Sequence, residues 1–410
     1  MGPIALFDKS FLQSLNLNEA VLFDNFFLTN IAPLFFVETL ADLEKAVREG
    51  RTPEQEVGII ASKTPEMNSS PNMFHGELCK SSLMGLDTPM DGRIVRAGGR
   101  PVKDGGKTGI VFDIPPEAKA FARWQEGKFL EVEQKFAKAW RAMLRMMSFD
   151  NVINNLKIAG IQPDNCKSLK EAKQVAEEFV LGRGDKFAIM KLALTLLSIP
   201  SHIHDALFTR WKISGYKPLG EFAPYAAFVS TVDIFFYIAA ASKLISADRV
   251  SNKIDLAYLF YLPFCMLFIS TDKLHRRCAP LFLREDQQFI WGEDLKCDLK
   301  RLDEFYDRLP QAEKEKGLFS FASEPPRNEP FLVTNLWDRC IPKWRDTKNS
   351  VPSIDKAVEN KMADEVTQMA EARTLEPEEV DFDTTNPDSL TLQRNISKRK
   401  GKWWLLPKDL

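Results

Sequence analysis

Lys253–His275 reads KIDLAYLFYLPFCMLFISTDKLH. It is apolar almost throughout, yet it carries Asp255 near its start and Asp272 near its end, seventeen positions later. An ionised carboxylate in a buried segment is costly unless something compensates it, so the two acids ask for a reason. Pro263 divides the stretch. Asp255 starts a helix or lies early in one that Pro263 breaks, and CMLFIS (Cys265–Ser270) follows as a buried strand closed by Thr271 and Asp272.

A second run of the same kind opens the chain. PIALFD, Pro3–Asp8, is a short apolar run ending in an acid and suits a central strand of a parallel sheet, which is buried on both faces. Asn18 is placed to cap a helix reaching about Thr29, with Glu19 at its positive end. A second helix is expected from Pro33, a first-turn residue, to Gly50, a stop. Its Glu38 and Asp42 are four apart and share a face. Residues 51–115 are rich in Pro, Gly, Ser and Lys with few periodic runs, and RAGGRPVKDGGKTGIVFDIPP (Arg96–Pro116) reads as an ordered loop followed by a brief strand. Helices are expected at Pro116–Ser148, 168–181, 186–199, 201–212, 223–246 and Asp294–Arg308.

From about residue 320 the composition changes. SEPPRNEP reads as a linker, 355–373 as a polar helix, and the acidic EPEEVDFDTTNPD as disordered. RNISKRKGKWWLLPKDL ends the sequence as part of a mobile tail. Its Trp403 and Trp404 could stack on bases, dock on a partner or pack back on the core. No internal repeat is evident.

The 410 residues, 44% apolar and 27% charged, are ordinary for a globular protein of two or three domains. A net charge of −2 gives no long-range pull on nucleic acid, so such a partner needs a local basic patch. The cysteines at 79, 166, 265, 278, 297 and 340 form no C-x-x-C pair, which argues against a zinc site or a disulfide framework. A reducing compartment, the cytoplasm, is the expectation. MGPIALFDKS has no basic region before its short apolar run, so no signal peptide is expected. Ala223–Ser246 is long enough to span a membrane, but Asp233 at its middle would cost about 2.5–3.5 kcal/mol there. Leu256–Ile269 is too short and holds Pro263. Both are expected inside the fold. A membrane-associated helical protein using 223–270 is the remaining reading of these segments.

Ordered by context, the acids form a set. Asp8 and Asp272 each close a buried strand, while Glu38 and Asp255 lie in helices beside such strands. The carboxyl ends of parallel strands share one edge of a sheet, where sites collect, so Asp8 and Asp272 can be neighbours. Four carboxylates at one place repel one another. A hard divalent cation, Mg²⁺ or Mn²⁺, removes that penalty with oxygen ligands, and can activate water and neutralise a phosphate.

ALFDKSFL, TNIAPLFFVETLADL and LFISTD together resemble the PIN-like domains, a metal-dependent nuclease family. Its members begin with a strand ending in Asp, carry a Glu in the next such helix and an Asp in a helix before a later strand, and close that strand in a form like LVTxD. The resemblance covers residues 3–50 and 225–310. It implies a three-layer α/β fold with a central parallel sheet, made of 1–50 and 225–310. A loop-rich, then helical insertion would occupy 51–224, and a partly disordered extension 320–410. It implies metal roles for Asp8, Glu38, Asp255 and Asp272, with Ser10 and Thr271 as supporting hydroxyls. Hydrolysis of RNA, more than of DNA, follows from it, as does a toxin or defence role. Asp233 is a rival for the third acid; Asp255 is preferred because its distance to Asp272 suits one helix, a turn and a strand. Family members that lost acids serve as non-catalytic scaffolds, which is the alternative here. The insertion could supply substrate choice, a protein partner's surface or a homo-oligomer contact.

Each acid also has a plainer reading: Asp8 and Asp272 as caps, Asp255 as a first-turn acid, Glu38 as a solvated residue. GGRPVKDGGKTG fails as a P-loop because Pro101 stands where the first Gly is needed. Its Arg100, Lys103 and Lys107 could still meet a nucleic-acid backbone, as could His275, Arg276 and Arg277 after Asp272. His202 and His204 are two apart on an expected helix and do not share a face.

Overall fold

The computed structural model describes the chain except residues 1, 46–49, 147–148, 159–161, 183, 247–248, 250, 347–355, 383–389, 393–395 and 410. Asp8 ends the first strand, β1 (Ile4–Phe7), and begins helix α1 (Lys9–Ser14). Helix α2 (Leu17–Phe26) starts at Asn16, whose side chain forms a capping box with Glu19, two residues earlier than the Asn18 cap expected. The chain then turns into β2 (Leu28–Ile31) where the apolar run suggested more helix. Helix α3 (Pro33–Leu40) shortens into a 3₁₀ turn, Ala41–Glu44. Helix α4 (Pro53–Lys63) leads to β3 (Ser69–Pro71), and α5 (His75–Met84) follows.

A hairpin of β4 (Gly99–Asp104) and β5 (Lys107–Phe112) turns at Gly105 and Gly106, both with positive φ. This is a real strand pair where a loop and one brief strand were expected. Strand Leu390–Leu392 adds to it in parallel, and helix Lys356–Glu371 packs on it. The single helix expected over Pro116–Ser148 is two, Pro116–Gln125 and Glu131–Met146, interrupted at Gly127 with φ 69°.

Strands β6 (Leu267–Ser270) and β7 (Gln288–Trp291) complete the central sheet. Its order is β3-β2-β1-β6-β7 and every pairing is parallel. Ala5 is paired with Thr29 on one side and Leu267 on the other. From β1 the chain winds outward through β2 to β3, then returns to the other side of β1 at β6. The carboxyl ends of β1 and β6 therefore flank the switch point, the usual crevice of a doubly wound sheet. Because β3 belongs to this sheet, the first half of the α/β core runs past residue 50 to residue 71, into the stretch expected to be insertion.

Alternation along the strands fills two cores. Ala5, Phe7, Leu267 and Ile269 face one with α1, α2, α3, α4 and Gly292–Asp307; Leu6 and Phe268 face the other with α5, Leu169–Leu181 and Pro224–Ala241. On the first side Phe7 meets Phe23 and Phe35 edge-on at 5.5 and 5.3 Å, a geometry contributing roughly 0.5–1.5 kcal/mol per pair beyond area burial. Pro224–Ala241 is long and apolar enough to cross a membrane, and 83% of that window is buried in the fold.

The end of the chain does not hang free. Trp403 and Leu405 are each 1% exposed. The Trp403 indole N–H donates to Asp303 at 2.9 Å, and Lys402 pairs with the same carboxylate at 2.8 Å. Of the acidic stretch, residues 383–388 lie outside the described residues, while Pro377–Glu379 forms a 3₁₀ turn.

Candidate functional site

Asp8 and Asp272 meet at the switch point. Asp8 Oδ2 accepts the hydroxyls of Ser10 at 2.6 Å and Ser270 at 2.8 Å. The same Ser270 Oγ accepts the backbone amide of Asp272 at 2.9 Å, so one hydroxyl ties the Asp8 carboxylate to the main chain at the end of β6. Ser10 Oγ and Thr271 Oγ1 lie 2.7 Å apart. Asp8 and Asp272 are also helix caps: Asp8 Oδ1 accepts from Phe11 N at 3.0 Å and Asp272 Oδ1 from Leu274 N at 2.5 Å. The capping role and a place in the acidic cluster coexist.

Asp255 stands in the helix Ser251–Ala257 and Glu38 in α3. Both reach the same region. Burial, then Glu38, Asp272 and Asp8, push the Asp255 carboxyl up to about 7 against the pull of His275. Burial raises Glu38 as well, opposed by Lys9 and by the Tyr258 hydroxyl that donates to it, and reinforced by Asp8. Asp255 thus feels the charge of the other three acids, and Glu38 that of Asp8.

His275, which from the sequence could touch substrate phosphates or lie on a polar helix face, is 1% exposed, beneath the cluster. Its Nε2 faces the backbone carbonyl of Asp255 at 2.6 Å, so Nε2 carries a proton. Its Nδ1 faces Ser270 Oγ at 2.8 Å and Asp8 Oδ2 at 3.3 Å. With the Ser270 proton committed to Asp8, Nδ1 needs its own. Although burial acts to lower it, the hydrogen bond and charge of Asp8 hold the imidazole's pKa above the ordinary value. The same contact outweighs burial at Asp8 and keeps that carboxyl low. His275 is a positioning residue that fixes Asp8 and the Asp255 helix relative to each other.

The other candidates are engaged elsewhere. Asp233, the rival third acid, forms an ion pair with Lys253. Arg276 lies 4.8 Å over the Trp291 ring and Arg277 donates to Leu244 O at 3.1 Å. Arg100 donates to the carbonyls of Ala370 and Ala372, Lys103 pairs with Asp381 at 2.6 Å, and Lys107 with Glu365 at 2.6 Å. These three basic residues fasten the hairpin to the C-terminal segment. His204 Nε2 faces Ile199 O at 3.0 Å.

Ser270, Tyr258 and Lys9 belong to the site, and the sequence reading passed over them. Ser270 carried a signal, being the hydroxyl beside Thr271 in LFISTD. Among the described residues no three His, Cys, Asp or Glu side chains are drawn together as a ready-made metal centre. The donor set still suits a hard cation: it is all oxygen, and the raised Asp255 and Glu38 carboxyls are short of positive charge.

These features define a class: an α/β protein with a doubly wound, all-parallel sheet and an acidic cluster at its switch point. No family model, curated protein or solved structure matches the chain.

Proposed function

We propose that this chain is a PIN-like, metal-dependent nuclease that hydrolyses phosphodiester bonds, with RNA as the preferred substrate. The observation that carries this reading is the Ser270 bridge from the Asp8 carboxylate to the backbone of Asp272, with the Asp255 carboxyl in electrostatic reach of Glu38, Asp272 and Asp8. Asp8, Glu38, Asp255 and Asp272 would hold Mg²⁺ or Mn²⁺, which when bound supplies phosphate neutralisation and an activated water. Ser10, Thr271 and Ser270 orient the Asp8 carboxylate. His275 balances its charge from below, and Tyr258 aims Glu38. The helical segments after β3 would give substrate choice or a partner's surface, and a cytoplasmic toxin or defence role fits the family resemblance.

The test is cleavage of a single-stranded RNA with Mg²⁺ or Mn²⁺ against chelator. Asp8→Asn and Asp272→Asn keep a capping oxygen and remove the charge, so cleavage is expected to fall by about 10³-fold or more with the fold retained. Wild-type rates in purified Asp8→Asn would refute the assignment. A folded protein that never cleaves but pulls down a partner would support the scaffold alternative.

A further inference from the structure

Beside the acids lies a group of opposite sign. Lys9 Nζ and Lys45 Nζ approach Asp42 Oδ1 at 2.9 and 2.8 Å, and Arg141 Nη2 stands 3.9 Å from the same oxygen. Among the described residues no other carboxylate is within ion-pair distance of these three cations. Asp42 is 2% exposed, whereas the Lys45 and Arg141 side chains are 41% and 31% exposed. The covered anion thus gathers three cations and leaves an excess of two positive charges facing outward. Burial, Lys9 and Arg141 all depress the Lys45 ammonium against the pull of Asp42, as expected where cations crowd.

The group is built from three elements. Lys9 comes from α1, Asp42 from the 3₁₀ turn Ala41–Glu44 with Lys45 directly after it, and Arg141 from helix Glu131–Met146, which packs on that turn. Arg141 Nε is held by Ala41 O at 3.2 Å. The location is specific too. Lys9 follows Asp8 in sequence, and its ammonium donates to the Glu38 backbone carbonyl at 3.0 Å. The positive group therefore abuts two of the four acids, and Lys9 pulls on Glu38 electrostatically.

We propose that Lys9, Lys45 and Arg141 form a binding site for the phosphodiester backbone, holding a phosphate next to the one presented to the acids. This rests on the nuclease reading above. A strand lying across both groups meets carboxylates at the bond to be cut and cations at the neighbouring phosphate. The site supplies the local positive patch that a chain of net charge −2 needs to hold a polyanion.

The experiment measures binding without cleavage. The full chain, in chelator, is titrated with a fluorescent single-stranded RNA over a range of salt. Lys45→Gln and Arg141→Gln are each expected to weaken binding about tenfold and to reduce the salt slope by about 0.7. Arg141→Lys and Lys45→Arg should restore most of the affinity, which a loss of folding would not allow. Lys212→Gln, on the exposed face of helix His204–Ile213, should leave binding unchanged. Unaltered affinity and slope in both Gln variants would overturn the site, as would a wild-type chain that binds no RNA. If the Gln variants bind normally while Asp272→Asn still abolishes cleavage, the nuclease reading stands without this site. If binding depends on the patch but no metal supports cleavage, the nuclease reading fails alone.

Discussion

Ser10 and Thr271 bring their hydroxyl oxygens to 2.7 Å across 261 positions of chain. That contact is the local expression of β1 pairing directly with β6. It fixes the register in which Asp8, one residue past β1, sits beside Asp272, two past β6. A slip of one residue would turn every side chain of β6 to the opposite face, exchanging Phe268 with Leu267 and Ile269 between the two cores and breaking the Ser270–Asp8 bond.

Asp24 should be among the least replaceable residues outside the site. It is 2% exposed and accepts the amides of Glu66, Met67 and Asn68 at 2.7, 2.8 and 2.9 Å. These bonds tie α2 to the approach to β3. Asp24→Ala strands three amides, and a loss of about 3 kcal/mol or more is expected in urea unfolding.

His75 gives a pH dependence whose sign can be worked out. Its amide donates to the Tyr261 hydroxyl at 3.1 Å, and its Nδ1 lies 3.3 Å from that oxygen. Burial, then Lys253, lowers the imidazole from 6.5 to about 4. Above pH 6.5 neither state binds the proton and no stability is lost. Between 6.5 and 4 the unfolded state takes it up and the folded state does not, so stability falls with pH by at most about 3 kcal/mol. His75→Gln should remove that part of the slope, read as the wild-type-minus-variant difference in unfolding free energy at pH 7.5, 6 and 5.

Trp403 tests the ordered end of the chain. Trp403→Ala removes a fully packed indole that meets Phe321 at 5.9 Å between centroids, and should cost about 3–5 kcal/mol. Trp403→Phe keeps most of the packing and loses the Asp303 bond, for about 1 kcal/mol. Melting temperature in the absence of nucleic acid is the readout, since the ring serves the core and does not await a base.

The two strands carrying the site could be read from sequence because each is a short apolar run ended by an acid, PIALFD and CMLFIS followed by Thr271 and Asp272. Their neighbours could not. Strand β2, LTNI, follows Phe26 and Phe27 without a turn residue and continues the look of a helix; β3, SSP, is three residues long and ends in proline; QFIW of β7 is short and lies close to Asp286 and Glu293. Tertiary pairing decides such segments, and propensity does not. The acids were found through strand ends and helix faces, but the partners that tune them were not. Nothing local to His275 shows that it lies beneath Asp8, because that placement depends on β1 and β6 meeting. The basic residues visible as clusters are engaged elsewhere: Arg100, Lys103 and Lys107 fasten the hairpin, while Arg276 lies over Trp291 and Arg277 donates to Leu244 O. The three that converge on Asp42 are scattered at 9, 45 and 141 and only the fold unites them.

The pairing of β1 with β6 also sets an order on synthesis. A ribosome must translate more than 260 residues after β1 before its second neighbour exists. Until then the growing polypeptide holds Asp8 and Glu38 with an open strand edge, the state most exposed to aggregation in slow, parallel topologies. Asp255 and Asp272 arrive together with that missing neighbour. A copy cut short before Asp255 therefore has only half of the acids, and the cell meets the complete set only in molecules that have also made the strand that covers β1's open edge.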